Sequence, residues 1–200
     1  MISMLMLALL CGSLPFSVWL TRLFMRQDVR RYGDGNPGAA NVFRAGSSRV
    51  GLLVLLLDIS KAAAPVGWAY FDLGYRGLPM FLIAMAPVLG HAFSPFLGFR
   101  GGKAVAVTLG VWVGLTLWKI PLVAVPLVVF WNALLDLPGW AVMLALAGIA
   151  VALLTVMVDP LLLAVLVGQV VVLAWTHRAD LRKWPRLRPW AARWLHRARH

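Results

Sequence analysis

Gly139 to Val158 reads GWAVMLALAGIAVALLTVMV, twenty residues in a row without a charge. A helix rises about 1.5 Å per residue, so this run is roughly as long as the ~30 Å hydrocarbon core of a bilayer is thick. Apolar stretches of the same kind occupy residues 2–24, 50–71, 77–95, 104–118, 120–135 and 160–176. The pattern predicts an all-α integral membrane protein with seven transmembrane helices. Composition agrees: the 200 residues are 62% hydrophobic and 13% charged, and mean hydropathy is +0.84. Soluble domains average about 45–50% apolar and about 25% charged. Little chain is left for a separate soluble unit, so any chemistry must sit on helix ends and short loops. Cys11, the only cysteine, lies in an apolar run, which excludes a disulfide scaffold.

Charge sets the orientation. The net charge of +12 comes from Arg and Lys against seven Asp, with no Glu in the chain. The first connection holds Arg22, Arg26, Arg30, Arg31, Arg44 and Arg49; the third holds Arg100 and Lys103; the residues after Arg178 hold a dense Arg/Lys cluster. Basic loops stay cytoplasmic. Seven crossings with the N-terminus outside and the C-terminus cytoplasmic satisfy all three. Met1 to Leu10 lacks a basic residue and Leu9-Leu10 precede Cys11 where a cleaved signal has small residues, so the start reads as a retained first helix. The expected organisation is a polytopic membrane domain over 1–176 with cytoplasmic loops 25–49 and 95–104, then a basic cytoplasmic tail over 177–200. In that tail Trp184, Trp190 and Trp194 alternate with arginines, near Leu187 and Leu195. Directly after a crossing, such a segment fits the headgroup layer of the membrane surface better than nucleic acid.

Two glycine-rich basic loops carry the chemistry-bearing residues. The first is Gly33-Asp34-Gly35-Asn36-Pro37-Gly38-Ala39-Ala40-Asn41-Val42-Phe43-Arg44. Close glycines let backbone N–H groups converge on an anion, Asn36 and Asn41 add neutral donors, and Arg44 adds a planar fork suited to phosphate. A turn held by glycine, with arginines setting topology, is the plainer account of the same residues. The second loop ends in Gly101-Gly102-Lys103 at the expected start of an apolar helix, where free N–H groups, the positive helix end and an ammonium would coincide. It is not a Walker loop, because the upstream glycine and the following Ser/Thr are missing. Both loops face the same side, which points to a ligand carrying one or two phosphates. Asp58 and Lys61 lie three residues apart within the second stretch, on one helix face, as a functional or a neutralising pair. Lys119 and Asp159 fall at outer turns and need only solvation. His91 reads as a packing or capping residue, and no Cys/His cluster has metal-ligand spacing.

These residues, in this order, resemble the acyl-phosphate-dependent glycerol-3-phosphate acyltransferases of bacteria, the PlsY family, or a divergent paralogue within it. The similarity runs through Gly12-Ser13-Leu14-Pro15-Phe16, Asp34 to Arg44 (family S-G-N-x-G-A-T-N-x-x-R), Leu57-Asp58-Ile59-Ser60-Lys61, Gly90-His91, Phe96 to Lys103 and His177-Arg178-Ala179-Asp180-Leu181 (family H-R-E-N-I). The resemblance implies a seven-helix fold with the N-terminus outside and a cytoplasmic active face in the cell inner membrane. It implies transfer of an acyl group from acyl phosphate to the sn-1 hydroxyl of glycerol 3-phosphate, giving lysophosphatidic acid in phospholipid biosynthesis. Acyl phosphate is already activated, so no cofactor or metal is expected. The partners implied are the two substrates and membrane lipids, with no nucleic acid; monomer and oligomer both stay open.

The implied phosphate-binding residues are Gly35, Asn36, Gly38, Asn41, Arg44, Gly101, Gly102 and Lys103, supported by Asp58, Lys61 and His91. Asp34, Asp180 and His177 are the catalytic candidates. The chain departs from the family pattern at several positions. Asp34 stands where the family has Ser, Ala40 and Val107 where it prefers Thr, and Ala62 and Ala104 where it has Gly. The mid-chain R-Y-x-S-x-x-S has no counterpart between Asn132 and Val142, and Pro189 stands where the closing Glu would fall. A catalytically impaired homologue that binds acyl phosphate or phospholipid is therefore the second reading, and a small membrane transporter the third.

Overall fold

The computed structural model describes residues 1–197, and side chains through Arg193; the side chains of Trp194 and Leu195 and residues 198–200 lie outside the described residues. The described chain is helical, with one isolated antiparallel bridge between Leu135 and Leu187. Four helical stretches are long and apolar enough to cross a membrane: Ile2–Met25, Ser48–Asp72, Gly77–Leu97 and Pro138–Val156. Three shorter apolar helices accompany them, Val105–Thr116, Lys119–Leu134 and Pro160–Thr176.

The first stretch is not one helix, as the run 2–24 suggests. It divides into α1 (Ile2–Ser13) and α2 (Phe16–Met25), because Pro15 supplies no N–H and holds the preceding Leu14 in an extended conformation. A break inside an apolar segment leaves carbonyls without helical partners, and each must find one. Here two long-range donors serve. The Ser94 hydroxyl donates to the Ser13 carbonyl at 2.6 Å, and the Lys61 ammonium donates to the Leu14 carbonyl at 2.8 Å. Lys61 belongs to α4 (Ser48–Gly67), which continues through a wide turn at Trp68–Asp72; Ser94 follows α5 (Gly77–Ala92). The short α3 (Ala39–Arg44) precedes α4 and packs against it.

The tightest packing is between α1 and α5 and between α4 and α6 (Val105–Thr116). Small residues permit it: a Cβ on Gly12 would overlap the Pro87 backbone, and one on Gly110 would overlap the Ile59 carbonyl. Such close backbone approach is what membrane helices use where no hydrophobic drive separates them from lipid. Trp112, Met80, Ile83 and Leu173 fill the resulting core. Then come α7 (Lys119–Leu134), α8 (Pro138–Val156), α9 (Pro160–Thr176), α10 (Arg178–Leu181) and α11 (Pro189–Arg197). Asp159 does more than face solvent: its carboxylate accepts from the N–H groups of Leu161 and Leu162 and so caps α9. The tail is tied back to the α7–α8 turn, since Arg188 donates from its backbone to the Leu134 carbonyl and from its side chain to the Leu135 carbonyl.

Candidate active site

The loop before α3 is wound around Asp34. Gly33 and Gly35 on either side have φ of +58° and +74°, a region glycine enters without penalty. The Asp34 carboxylate accepts from the Asn36 N–H at 3.2 Å and from the Asn41 side-chain amide at 2.8 Å. Asn41 is buried and fully occupied. Its amide also donates to the Asn36 carbonyl at 3.0 Å, and its oxygen accepts from Arg44 at 2.8 Å. The sequence offered Asn41 and Arg44 as ligands for phosphate; in the structure Asn41 holds the loop, while Arg44 is exposed and gives one of its donors to Asn41.

Lys103 joins this loop to the rest of the molecule. Its ammonium lies 2.8 Å from Asp34 and 3.4 Å from Asp180 on α10. Its backbone N–H donates to the Asn36 side-chain oxygen at 2.9 Å, and its carbonyl accepts from the Thr176 hydroxyl at the end of α9 at 3.2 Å. Asp180 in turn accepts from the Gly139 N–H in the first turn of α8 at 3.1 Å. The first loop, the segment before α6, the α7–α8 turn and the end of α9 therefore meet at one end of the bundle.

One expectation is corrected here. Gly101-Gly102-Lys103 is not the first turn of a helix with N–H groups to spare. The Gly101 and Gly102 N–H groups donate to the carbonyls of Ala92 and His91 at 3.1 and 3.0 Å, and α6 starts only at Val105. The segment runs so close to the end of α5 that a Cβ on Gly101 would overlap the His91 carbonyl and one on Gly102 the His91 ring. Packing, not anion binding, demands both glycines. His91 itself accepts from the Lys61 ammonium through Nδ1 at 3.0 Å, which places the proton of the neutral ring on Nε2. Lys61 thus hydrogen-bonds to His91 and to the Leu14 carbonyl and forms an ion pair with Asp58 at 2.6 Å. The Asp58–Lys61 pair secures the broken first helix and the α5 end that backs the loop.

A cleft of about 810 Å³ opens between these loops. Its walls carry Arg30, Arg100, Lys103 and Arg178 against a single carboxylate, Asp34. Phe93, Phe99 and Trp175 line it as well, so one opening offers cations and apolar rings together. Gly35, Asn36, Gly101, Gly102 and Lys103 reach the cleft; Gly38, Asn41 and Arg44 do not line it. Of the three catalytic candidates only Asp34 lines it. Asp180 stands behind Lys103. His177 is 1% exposed, with Nδ1 donating to the Leu173 carbonyl at 2.9 Å. Burial pushes the His177 pKa down, against a smaller upward pull from that carbonyl, so the ring is neutral. Burial pushes the Asp34 carboxyl up, but Lys103 and the Asn41 amide outweigh it and hold it at about 2. Asp34 is ionised at any physiological pH.

Sequence reasoning passed over Arg30, Arg100 and Arg178 as cleft residues, because loop arginines also serve topology. Arg30 makes a two-pronged contact with Asp28 at 2.7–3.0 Å, and Asp28 also pairs with Arg22 at 3.0 Å. Arg178 lies over the Trp175 ring at 4.8 Å and donates to its carbonyl at 2.9 Å. Among the described residues neither Arg100 nor Arg178 pairs with a carboxylate, and no group of His, Cys and Asp could hold a metal ion.

Comparison with known proteins places these features in a family. A family model described as glycerol-3-phosphate acyltransferase matches residues 2–186. The glycerol-3-phosphate acyltransferase of Aromatoleum aromaticum is 44% identical over 131 residues, 66% of this chain and 64% of that protein. That of Enterococcus faecalis is 41% identical over 107 residues, 54% of this chain and 49% of that protein. The matched stretch thus spans half to two thirds of the length of these curated relatives. Two crystal structures of PlsY (YgiH), an integral membrane glycerol 3-phosphate acyltransferase, share the fold. The glycerol 3-phosphate form gives a TM-score of 0.78 at 27% identity over 90% of each chain. The lysophosphatidic acid form gives 0.80 at 26% identity over 90% of this chain and 89% of that one. With its apolar helices and these integral membrane neighbours, the chain is a multi-pass membrane protein, and it belongs to the glycerol-3-phosphate acyltransferase family.

Proposed function

We propose that the protein transfers an acyl group from acyl phosphate to the sn-1 hydroxyl of glycerol 3-phosphate, forming lysophosphatidic acid and inorganic phosphate. One observation carries the reading: a single cleft joins four cations to apolar rings, which suits two phosphates and one acyl chain. The hydroxyl oxygen attacks the acyl carbonyl, the bond from carbon to the phosphate oxygen breaks, and the hydroxyl proton ends on the departing phosphate. Atoms balance without a further reagent. What the protein supplies is positioning, together with fixed positive charge facing the oxyanion and the leaving phosphate. Arg100, Arg178 and Lys103 fill that role, with Gly35, Asn36, Gly101 and Gly102 shaping the walls. Asp34 faces the acceptor. Asp180 and His177 position Lys103 and the end of α9, while Gly38, Asn41, Arg44, Asp58, Lys61 and His91 hold the loops.

The same reading includes seven crossings with the N-terminus outside and the cleft facing the cytoplasm. It is supported by the meeting of the basic connections at one end of the bundle through Lys103 and Asp180. The tail would then lie along the cytoplasmic membrane surface, where exposed Trp184 and Trp190 meet the headgroup layer beside Arg182, Lys183 and Arg186.

The test is direct. Purified protein in mild detergent receives palmitoyl phosphate and radiolabelled glycerol 3-phosphate, with Lys103→Met as control. Labelled lysophosphatidic acid that disappears in the control is the expected result. A folded protein that binds acyl phosphate without forming product would instead be a non-catalytic lipid-phosphate binder.

A further inference from the structure

The Asp34 carboxylate occupies an unusual place for a cleft that takes phosphate. It lies on the wall, its side chain is 43% exposed, and Oδ2 faces the Lys103 ammonium at 2.8 Å. The groups around it are fixed. Lys103 comes from the segment before α6; Asn41, and through it Arg44, come from α3; the Asn36 N–H comes from the same loop. Arg30 lines the same cleft, and Asp180 with the buried neutral His177 stands beyond Lys103. The charge of Lys103 is therefore offset by two carboxylates, and Arg30 shares Asp28 with Arg22. Only Arg100 and Arg178 among the cleft cations have no carboxylate partner among the described residues.

A fully ionised phosphate is drawn by the cations of this cleft, but at Asp34 it meets an acceptor-only carboxylate to which it has no proton to offer, so that contact is unfavourable. A phosphate that keeps one proton meets the same oxygen as a partner, because P–OH is a donor and an ionised carboxylate is a strong acceptor. We propose that Asp34 makes the cleft select the monoanionic form of the acceptor phosphate, whose P–OH donates to Asp34 while Arg100 and Arg178 hold its anionic oxygens. The inference rests on the acyltransferase reading only for the identity of the acceptor. Any phosphate monoester that enters the cleft obeys the same selection.

The experiment measures binding first and turnover second. Glycerol 3-phosphate is titrated calorimetrically into the purified full-length protein between about pH 6 and about pH 8, across the second ionisation of a phosphate monoester near 6. Over that interval the monoanion falls about 50-fold, and the apparent affinity is expected to fall by about the same factor. Asp34→Ser is expected to bind more tightly than the native protein at the upper pH and to lose most of the slope. A phosphonate analogue with a lower second pKa must shift the whole profile to lower pH by the difference between the two ligands. A profile that ignores the ligand's pKa would assign the titration to the protein, and affinity that is flat or rises with pH would mean the dianion binds; either overturns the proposal, as does absence of binding at both ends. KM for glycerol 3-phosphate at saturating palmitoyl phosphate should follow the same curve. Binding with the expected slope but no product would refute the acyltransferase reading and leave the selection standing.

Discussion

The Lys103 ammonium lies 2.8 Å from the Asp34 carboxylate, and the same Lys103 reaches Asn36 and Thr176 through its backbone. Charge and scaffold are thus combined in one residue. Lys103→Arg keeps the charge but brings a bulkier planar group into a site built for a compact ammonium. We expect Lys103→Met to lower turnover by at least about 10²-fold, the usual scale for losing a fixed donor at a reacting oxyanion. Lys103→Arg should retain part of it. Steady-state kinetics of both variants, with unfolding temperature as the fold control, make the comparison.

Acid titration tests the Asp34–Lys103 contact separately. The folded carboxyl sits at about 2, below the ordinary 3.8. A depressed folded value means that the stabilisation is fully present above the ordinary value and is lost as pH falls through the folded one. The unfolding temperature of the native protein should exceed that of Asp34→Asn by a constant margin from neutrality down to about pH 4.5, and the margin should shrink below about pH 4 and close only as pH falls past about 2. Partial exposure keeps the margin small, within the range of about 0.2–1 kcal/mol for solvated ion pairs. A margin that closes near neutrality would contradict the contact.

Ala104 marks a backbone the side chain does not favour. It caps α6 from the position before Val105 with φ of +64° while being almost wholly buried. A left-handed alanine costs roughly 1–2 kcal/mol that glycine avoids, although glycine returns part of this through the entropy of the unfolded chain. Ala104→Gly should therefore raise the unfolding temperature, by roughly 2–4 °C for a net gain of about 1 kcal/mol in a chain of this size. A thermal melt in detergent decides it, and a fall would mean that the lost methyl packs more than the strain costs.

How much of this was legible in the sequence depends on the range of the interaction. The apolar runs and the basic loops are local patterns, and they indicated the helical membrane class and the two loops that form the cleft. The break at Pro15 was also in plain view, yet a continuous run over 2–24 concealed it, because hydropathy does not register a missing N–H. What fills the break was out of reach: Lys61 is 47 residues from Leu14 and Ser94 is 81 from Ser13. The same distance problem separated ligand-facing residues from scaffold. Asn41 and Arg44 have the chemistry of phosphate ligands, and only the fold shows Asn41 taken up by Asp34, with one Arg44 donor on Asn41. Arg100 and Arg178 look in sequence like any other basic loop residues, and only their place on the cleft wall distinguishes them.

The Asp58–Lys61 pair makes a prediction about stability. Both side chains are 3% exposed, and Lys61 also satisfies the Leu14 carbonyl and His91. Removing one partner of a buried pair leaves an uncompensated charge, at about 3–5 kcal/mol. Lys61→Met and Asp58→Leu should each destabilise on that scale. The double variant should lose much less than their sum, retaining mainly the penalty for an orphaned Leu14 carbonyl, about 1–3 kcal/mol. Chemical unfolding of all four proteins measures the coupling, and strict additivity would show that the pair is not interacting.

The uncompensated cations provide the last prediction. Of the four on the cleft wall, Lys103 faces Asp34 and Asp180, and Arg30 faces Asp28. The field that attracts a phosphate therefore comes chiefly from Arg100 and Arg178, while Arg44 acts at one remove by fixing Asn41. Arg100→Ala or Arg178→Ala should raise KM for a phosphorylated substrate about tenfold, the equivalent of one charge-assisted hydrogen bond near 1.4 kcal/mol. Because the same guanidinium groups face the oxyanion and the departing phosphate, kcat should fall as well. Arg30→Ala should change KM less, since Arg30 is already held on Asp28, which it shares with Arg22. Both arginines are exposed, so their contribution must also shrink as salt shortens the screening length from roughly 10 Å to 3 Å between about 0.1 and 1 M. Native KM should rise with salt, and that rise should be blunted in either Arg variant. An Arg44→Ala protein that matched Arg100→Ala in KM and in salt response would return Arg44 to the cleft and displace this assignment.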